Sequence, residues 1–191
     1  FWSAIKPFIL SSCKSVLDIG CGSGWTAERL FALGVEKYVG LEPSLKNFEI
    51  AGQTYPGINV ERVTLADYHT DSTFDCVLAL MMMSHIPDVD LAFAKIYKLL
   101  NPGGICLVAL SRFHPPENRL ERNGRKYEVE EIDADQYIDK STDGMGFGVA
   151  DINRSPEYYA RHAASAGFKV EQTEFADAGY SLKLLFILRK E

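Results

Sequence analysis

One glycine-rich turn limits the possible folds of this chain more than any other feature of its sequence. An apolar-rich segment at 16–19 leads into three alternating glycines, Gly20, Gly22 and Gly24, and a helical pattern follows at 25–33. Glycines in such a turn let the backbone approach a ligand where a Cβ atom would collide. The order strand, glycine turn, helix predicts the first unit of a parallel sheet, with a ligand site at the end of its first strand.

Short apolar runs alternate with amphipathic stretches along the rest of the chain. The predicted strands are 16–19, 38–41, 58–65, 74–81, 105–110, 170–175 and 182–189, and the predicted helices are 25–33, 45–55, 89–100 and 156–166. The clearest helix follows Asp88, which can cap its first turn, and its apolar residues recur three and four positions apart. Strands that alternate with helices predict a parallel α/β sheet covered on both faces, with ligands beyond the carboxyl ends of the strands.

Length and composition indicate one folded domain over residues 1–191. The hydrophobic fraction is 47% and the formal net charge is −6, and a negative total argues against nucleic acid as a partner. No apolar run approaches the ~20 residues of a membrane helix, and the first residues do not resemble a signal peptide. The four cysteines form no C-x-x-C pair and indicate buried thiols in a reducing compartment. We therefore expect a cytoplasmic protein with no membrane and no bound metal.

One long segment, residues 112–154, separates the fifth strand from the last helix. Connections in such folds usually have 2–6 residues, and this one contains Asn123-Gly124 between alternating residues, a signal for a type I′ hairpin. It also carries Gly144, Gly146 and Gly148, and five basic residues at 112–126. Two interpretations remain open for the segment, a surface excursion with a solvated hairpin or a cap over the strand ends that selects a substrate. The basic residues also have two interpretations, either a solvated hairpin surface or a rim of the site that binds an anionic group of the substrate.

Acidic residues lie at or just after three predicted strands. Asp18 precedes the glycine turn, Glu42 ends the second strand, and Asp67 follows the third strand. An acid at position 42 suits two hydrogen bonds from a ribose diol, although a helix-capping or surface acid is the simpler alternative. Asp67 can accept from an adenine amino group, with Tyr68 against the ring, or it can be an ordinary turn residue.

The turn itself argues against a dinucleotide or a phosphate as its ligand. Trp25 occupies the place where the dinucleotide fingerprint G-x-G-x-x-G requires glycine or alanine. The Asp18 carboxylate would repel a pyrophosphate and would favour a cationic ligand. The turn also has no Lys-Ser or Lys-Thr pair of the kind found in a phosphate-binding P-loop.

These motifs resemble those of class I S-adenosylmethionine-dependent methyltransferases, in particular the broad group that acts on small molecules. The resemblance rests on VLDIGCGSG, VGLEPS, LADYH, FDCVLALMMMSHIPD and LLNPGGICLVAL, in order between residues 16 and 110. It implies a seven-stranded Rossmann-like sheet of order 3-2-1-4-5-7-6, with the last strand antiparallel and the cap inserted after strand 5. It also implies methyl transfer from S-adenosylmethionine to an O, N or C nucleophile of a small molecule.

The resemblance also implies roles for single residues. Asp18, Gly20, Cys21 and Gly22 would surround the methionine part of the cofactor, Glu42 the ribose, and Asp67 with Tyr68 the adenine. The full set of expected cofactor residues is Asp18, Gly20, Cys21, Gly22, Trp25, Glu42, Pro43, Ser44, Ala66, Asp67, Tyr68, Leu80 and Met81. The three methionines at 81–83 are either adaptable packing or thioethers near the sulfonium.

His85 is the candidate catalytic residue, because it follows the fourth strand near the expected position of the methyl group. It is either a general base for the acceptor or a hydrogen-bonded structural histidine. Two other functions stay open, an oxidoreductase that binds NAD(P) or a nucleotide sugar, and a protein that binds S-adenosylmethionine without turnover. Neither a Pro-Pro-Tyr run of the amino-methylating nucleic-acid enzymes nor a Cys-Pro nucleophile pair is present.

Overall fold

A computed structural model describes residues 2–9, 13–111, 113, 121–122, 125–142, 150–177 and 181–191. It contains a seven-stranded main sheet and a separate four-stranded sheet. The main-sheet strands are β1 (Ser15–Ile19), β2 (Lys37–Leu41), β3 (Val60–Glu61), β4 (Phe74–Leu80), β5 (Leu100–Ser111), β10 (Lys169–Asp177) and β11 (Ser181–Arg189). The helices are α1 (Trp2–Ile5), α2 (Trp25–Phe31), α3 (Leu45–Thr54), α4 (Val89–Leu99) and α5 (Pro156–Ser165), with 3-10 turns at Lys6–Phe8 and Met83–His85.

The order of the main sheet is β3-β2-β1-β4-β5-β11-β10. Counted within this sheet alone, that order is 3-2-1-4-5-7-6, and β11 runs antiparallel to both of its neighbours. The other neighbouring pairs are parallel. The α/β fold class predicted from the sequence is therefore confirmed, and the carboxyl ends of β1, β2 and β4 meet at one edge.

Helices cover both faces of the main sheet, because its central strands are apolar on both sides. One face packs against α4 and α5 through residues such as Phe93, Ile96 and Tyr159. The other face packs against α1 and α2 through Ile5, Ala27 and Leu30. Within β1 this alternation sends Leu17 to the first face and Val16 to the second.

Capping residues begin the helices where the sequence predicts them. Asp88 accepts a hydrogen bond from the backbone N–H of Leu91, and Ser155 accepts from that of Tyr158, which satisfies donors at each helix start. The main difference from the sequence analysis is β3, which has only two residues where alternation predicted a strand over 58–65. All four cysteines are buried and free, and no helix of the described ranges is long and apolar enough to cross a bilayer.

The second sheet, hereafter the cap sheet, lies in the segment that connects β5 to α5. Its strands are β6 (Glu121–Arg122), β7 (Arg125–Asp133), β8 (Gln136–Ser141) and β9 (Asp151–Arg154), all antiparallel. Arg122 pairs with Arg125, so a two-residue connection joins β6 to β7. The predicted turn residues Asn123 and Gly124, and the glycines at 144–148, lie outside the described residues.

Candidate functional site

The main cavity of the described structure opens at the carboxyl ends of β1, β2 and β4 and has a volume of about 940 Å³. This volume lies within the range of sites that hold small molecules and cofactors. The strands of the main sheet, the loops that follow them and the helices α3 and α4 contribute Ile19, Gly20, Gly22, Leu41, Glu42, Pro43, Ser44, Asn47, Val63, Thr64, Leu65, Ala66, Leu80, Met81, Met82, His85, Ile86, Pro87, Asp88, Leu91, Ala92 and Lys95. The cap sheet adds Tyr127, Asp139, Ser141 and Asp151.

Glu42 joins the glycine turn to the end of β2. Its carboxylate is 6% exposed and accepts hydrogen bonds from the backbone N–H groups of Gly22 and Ser44, each at 2.9 Å. One bond falls on each carboxylate oxygen, so each oxygen retains acceptor capacity. Because Glu42 also lines the cavity, it can accept two further hydrogen bonds from a bound diol.

Asp18 lies below the turn, and its side chain faces α2 on the opposite side of β1 from Leu17. It is 2% exposed and accepts hydrogen bonds from the hydroxyls of Thr26 and Tyr38, the latter at 3.0 Å. Burial raises the pKa of this carboxyl to about 6, although both hydrogen bonds oppose the rise. Asp18 does not line the cavity, so in this structure it supports the turn from behind.

Two other residues predicted from the turn also lie away from the cavity wall. The Cys21 side chain is buried against Gly40, and a Cβ added to Gly40 would lie 2.6 Å from the Cys21 sulfur. Burial raises the pKa of the Cys21 thiol to about 12, so it is neither a nucleophile nor an anion at neutral pH. The Trp25 ring packs edge-on against Trp2 at 6.4 Å and lies beneath the guanidinium of Arg29.

The loop after β3 contributes one of the three residues predicted from it, together with Val63, Thr64 and Leu65, which were not predicted. Ala66 lines the cavity, whereas Asp67 is exposed and accepts a hydrogen bond from Thr64 at 2.6 Å. Tyr68 is 4% exposed within the core that covers α4 and α5. Lys95 donates to the carbonyl oxygen of Ala66 at 2.7 Å and fixes this loop to α4.

The end of β4 brings two methionines to the glycine turn. Met81 has a φ of 62°, in the left-handed region, and is 37% exposed at the cavity wall. This backbone conformation directs the chain toward the following 3-10 turn. Met82 packs so closely on Gly20 that a Cβ added to Gly20 would lie 2.8 Å from the Met82 Cβ. Gly20 is therefore required by close packing as well as by its positive φ.

His85 lies in the 3-10 turn after β4 and faces the cavity. Its Nδ1 is 3.3 Å from a carboxylate oxygen of Asp151, and that same oxygen accepts a hydrogen bond from Ser84 at 3.0 Å. Asp151 belongs to β9, so this contact joins the main fold to the cap sheet. The candidate base and an acid from the cap sheet thus lie together at the cavity.

The cavity wall is acidic. Among the residues that the structure describes, four carboxylates line it, Glu42, Asp88, Asp139 and Asp151, against one ammonium, that of Lys95, which already donates to a carbonyl oxygen. This charge pattern favours a ligand with positive charge and hydrogen-bond donors over a phosphate. S-adenosylmethionine has an ammonium, a sulfonium and a ribose diol, so the residues present fit that cofactor.

The structure places nine of the fourteen predicted site residues on the cavity wall, namely Gly20, Gly22, Glu42, Pro43, Ser44, Ala66, Leu80, Met81 and His85. Asp18, Cys21, Trp25, Asp67 and Tyr68 are not on the wall. The sequence analysis missed the cap-sheet residues. A signal was present for two of them, because Asp139 and Ser141 are two positions apart and so share one face of β8.

The seven-stranded sheet has the strand order that the resemblance to class I methyltransferases implies, and comparisons with known proteins agree. Residues 17–108 match the family model described as a methyltransferase domain. A ubiquinone biosynthesis O-methyltransferase of Mesorhizobium japonicum is 39% identical over 111 residues, which is 56% of this chain and 43% of that protein. One of the same name from Rhizobium etli is 37% identical over 99 residues, 49% of this chain and 40% of that protein. The chain spans less than half the length of these two relatives.

Solved structures share the fold over nearly the whole chain. A putative S-adenosylmethionine-dependent methyltransferase from Listeria monocytogenes has a TM-score of 0.74 at 18% identity, covering 100% of this chain and 97% of that one. An S-adenosylmethionine-dependent methyltransferase from Mesorhizobium loti also has a TM-score of 0.74, at 22% identity, covering 98% and 96%. The resemblance predicted from the motifs is confirmed, because residues 17–108 match the methyltransferase-domain model and the solved structures share the fold.

Proposed function

We propose that this protein transfers a methyl group from S-adenosylmethionine to a small-molecule acceptor. The observation that carries the proposal is Glu42, whose carboxylate is held between Gly22 and Ser44 at the wall of the 940 Å³ cavity. It lies at the end of the second strand of a domain that matches the methyltransferase family. When bound, the cofactor supplies an electrophilic methyl group on a positively charged sulfur.

The cofactor end of the cavity lies along the carboxyl edge of the main sheet in this proposal. Glu42 accepts hydrogen bonds from the ribose, and Gly20 and Gly22 let the backbone approach the methionine part. Ala66, with its neighbours Thr64 and Leu65, borders the adenine, a role that the sequence analysis assigned to Asp67 and Tyr68. Asp18 and Cys21 act indirectly, because they pack the turn from behind.

The acceptor lies between the loop that carries His85 and the cap sheet. This arrangement supports the cap interpretation of residues 112–154 over a plain surface excursion, because four cap-sheet residues line the cavity. The chain excludes water and aligns the acceptor with the methyl group, which are the main contributions to such a displacement. His85 can take the proton of an acceptor that must lose one. The two ubiquinone biosynthesis relatives are named as O-methyltransferases, which favours oxygen among the possible acceptor atoms.

Ligand-dependent melting tests the cofactor assignment. S-adenosylhomocysteine or S-adenosylmethionine should raise the melting temperature, because a ligand that binds only the folded state stabilises it. NAD at the same concentration should not, and the acidic wall is the reason. A shift with NAD and none with either methyl compound would favour the oxidoreductase alternative instead.

Turnover separates the enzyme from a protein that only binds the cofactor. We would measure S-adenosylhomocysteine formation across phenols, alcohols, amines and carbon acids of metabolite size, with His85→Gln and Glu42→Ala proteins as controls. Release above the no-acceptor background with one chemical class supports the proposal. Tight cofactor binding without turnover on any class would support the non-catalytic alternative.

A further inference from the structure

Strand β9 of the cap sheet holds the loop after β4 through a buried arginine. Arg154 is 5% exposed and donates to the carbonyl oxygens of Met83 at 3.4 Å and Pro87 at 2.9 Å. These two carbonyls lie on either side of His85, so one guanidinium fixes both ends of the loop. Buried charged groups persist when hydrogen bonds satisfy them. Here the partners are the two loop carbonyls and the side-chain oxygen of Gln136 on β8, to which the Arg154 Nε donates at 3.4 Å.

The same strand reaches the His85 ring itself through Asp151. One oxygen of this carboxylate lies 3.3 Å from the imidazole Nδ1 and accepts a hydrogen bond from Ser84 at 3.0 Å. Arg154 and Asp151 thus act on the loop from opposite ends of β9. That strand lies outside residues 17–108, the segment that matches the methyltransferase family.

We propose that Asp151 is a positioning residue that orients His85 as the general base for a hydroxyl acceptor. The inference rests on the proposed function, because the base has a role only if this cavity holds a methyl acceptor. A neutral imidazole carries one N–H, and a carboxylate beside Nδ1 favours the tautomer with that proton on Nδ1. Nε2 then has the lone pair that can accept a proton.

The proton and charge balance defines what His85 does. As the acceptor oxygen bonds to the methyl carbon, the carbon–sulfur bonding pair stays on sulfur and the hydroxyl proton passes to Nε2. The products are a methyl ether, a neutral thioether and an imidazolium. The side chain of His85 is 49% exposed, so the imidazolium can return its proton to solvent, and Asp151 stabilises it until then.

Stability alone does not account for an acid at position 151. The His85–Asp151 pair is half exposed on both sides, and such pairs contribute little to folding. Asp151 also pairs in register with Asp139 on β8, and like charges directly opposite on neighbouring strands are unfavourable. An acid here is more readily explained by its effect on His85.

The tautomer of His85 tests the proposal without any acceptor or cofactor. We would record two-bond ¹H–¹⁵N spectra of the imidazoles and assign the His85 signals by their loss in His85→Gln. The neutral His85 of the wild type should carry its proton on Nδ1, and Asp151→Asn should shift it toward the Nε2–H form. Asp135→Asn is the matched control, because it removes an acid that bonds Ser155 and Arg161 near the cap sheet but does not touch His85.

The second test measures kcat and KM with a hydroxyl acceptor found by the turnover screen. Asp151→Asn should lower kcat about 10- to 100-fold and leave the KM for S-adenosylmethionine within about twofold, because positioning acts on the proton transfer. Asp135→Asn should keep wild-type kcat. The proposal is overturned if the His85 tautomer is the same in Asp151→Asn as in wild type. It is also overturned if the tautomer changes but kcat does not, or if the enzyme methylates only amines. Failure of S-adenosylhomocysteine to bind would contradict the proposed function instead, and the tautomer result would remain interpretable.

Discussion

Two buried carboxylates, Asp18 and Glu42, lie on opposite sides of the glycine turn and differ in what surrounds them. Glu42 is bonded by two backbone N–H groups at the cavity wall, whereas Asp18 is bonded by two hydroxyls within the core. Both positions were predicted from their place at strand ends. The sequence analysis assigned both to the cofactor because the faces of β1 cannot be told apart when its neighbours are all apolar.

The stability of the protein should depend on pH through Asp18. Burial raises its folded-state pKa to about 6 from the 3.8 of a free aspartate, so between those pH values the folded state binds more protons than the unfolded state. The contribution of Asp18 to stability therefore falls as pH rises through this window. Relative to wild type, Asp18→Asn should gain about 2 kcal/mol of unfolding free energy between pH 4.5 and 7.5, measured by urea denaturation.

Asp75 provides the control for this experiment. Partial burial would raise its pKa, but hydrogen bonds from Asn101, Lys14 and Ser15 outweigh that effect and hold the pKa below its usual value. Its stabilising contribution changes only at more acidic pH, so the stability difference between Asp75→Asn and wild type should be constant from pH 4.5 to 7.5. If the unfolding free energies of wild type and Asp18→Asn changed in parallel with pH, the pKa of Asp18 would not be raised in the folded state.

Substitution of Glu42 should separate cofactor affinity from folding. Glu42→Ala should weaken S-adenosylhomocysteine binding by about 1–3 kcal/mol, the scale for loss of a charged hydrogen-bond partner, and Glu42→Gln by less, because it keeps the shape and one acceptor. Glu49→Ala, an exposed acid on α3 that is not on the cavity wall, is the control and should bind as wild type does. Calorimetry that shows unaltered affinity in Glu42→Ala would remove the ribose role.

At the scale of elements, the sequence predicts the strands and helices of the main fold well and the cap poorly. The continuous apolar run of β4 follows from burial on both faces, and the periodic pattern of the capped helix α4 follows from burial of one face. β3 is shorter than its alternating sequence suggests, since only Val60 and Glu61 pair with β2. The strands of the cap sheet are rich in polar residues and pair with each other, and local patterning specifies such strands weakly.

Arg154 should control how firmly the cap sheet is attached. Arg154→Met removes the donors to Met83 and Pro87, and we expect a loss of about 2 kcal/mol in unfolding free energy. Arg161→Met is the matched control, because its ion pair with Asp135 is largely exposed and such pairs contribute at most about 1 kcal/mol. Equal losses in the two variants by chemical denaturation would contradict the anchoring role.

For the molecule as a whole, the cavity lies between the carboxyl edge of the main sheet and the cap sheet. The family match covers 17–108, which includes the glycine turn and Glu42 but none of the cap-sheet residues on the wall. Local motifs therefore predict much of the cavity wall along the main sheet, where the cofactor is proposed to bind. They do not predict the wall formed by the cap sheet, because that part depends on how β8 and β9 pack over residues distant in the chain.

Hydrogen exchange should reveal this division between the two sheets. Saturating S-adenosylhomocysteine should slow deuterium uptake in peptides that cover 19–24 and 41–48, because the ligand orders backbone that already bonds to Glu42. Uptake in 136–142 should change little until an acceptor is added, because that strand borders the acceptor end. Glu42→Ala is the control for nonspecific stabilisation, because at the same ligand concentration it should not show the slower uptake in 19–24 and 41–48. Equal protection of both regions by S-adenosylhomocysteine alone would mean that the cofactor spans the cavity as far as the cap sheet, and that the acceptor binds elsewhere.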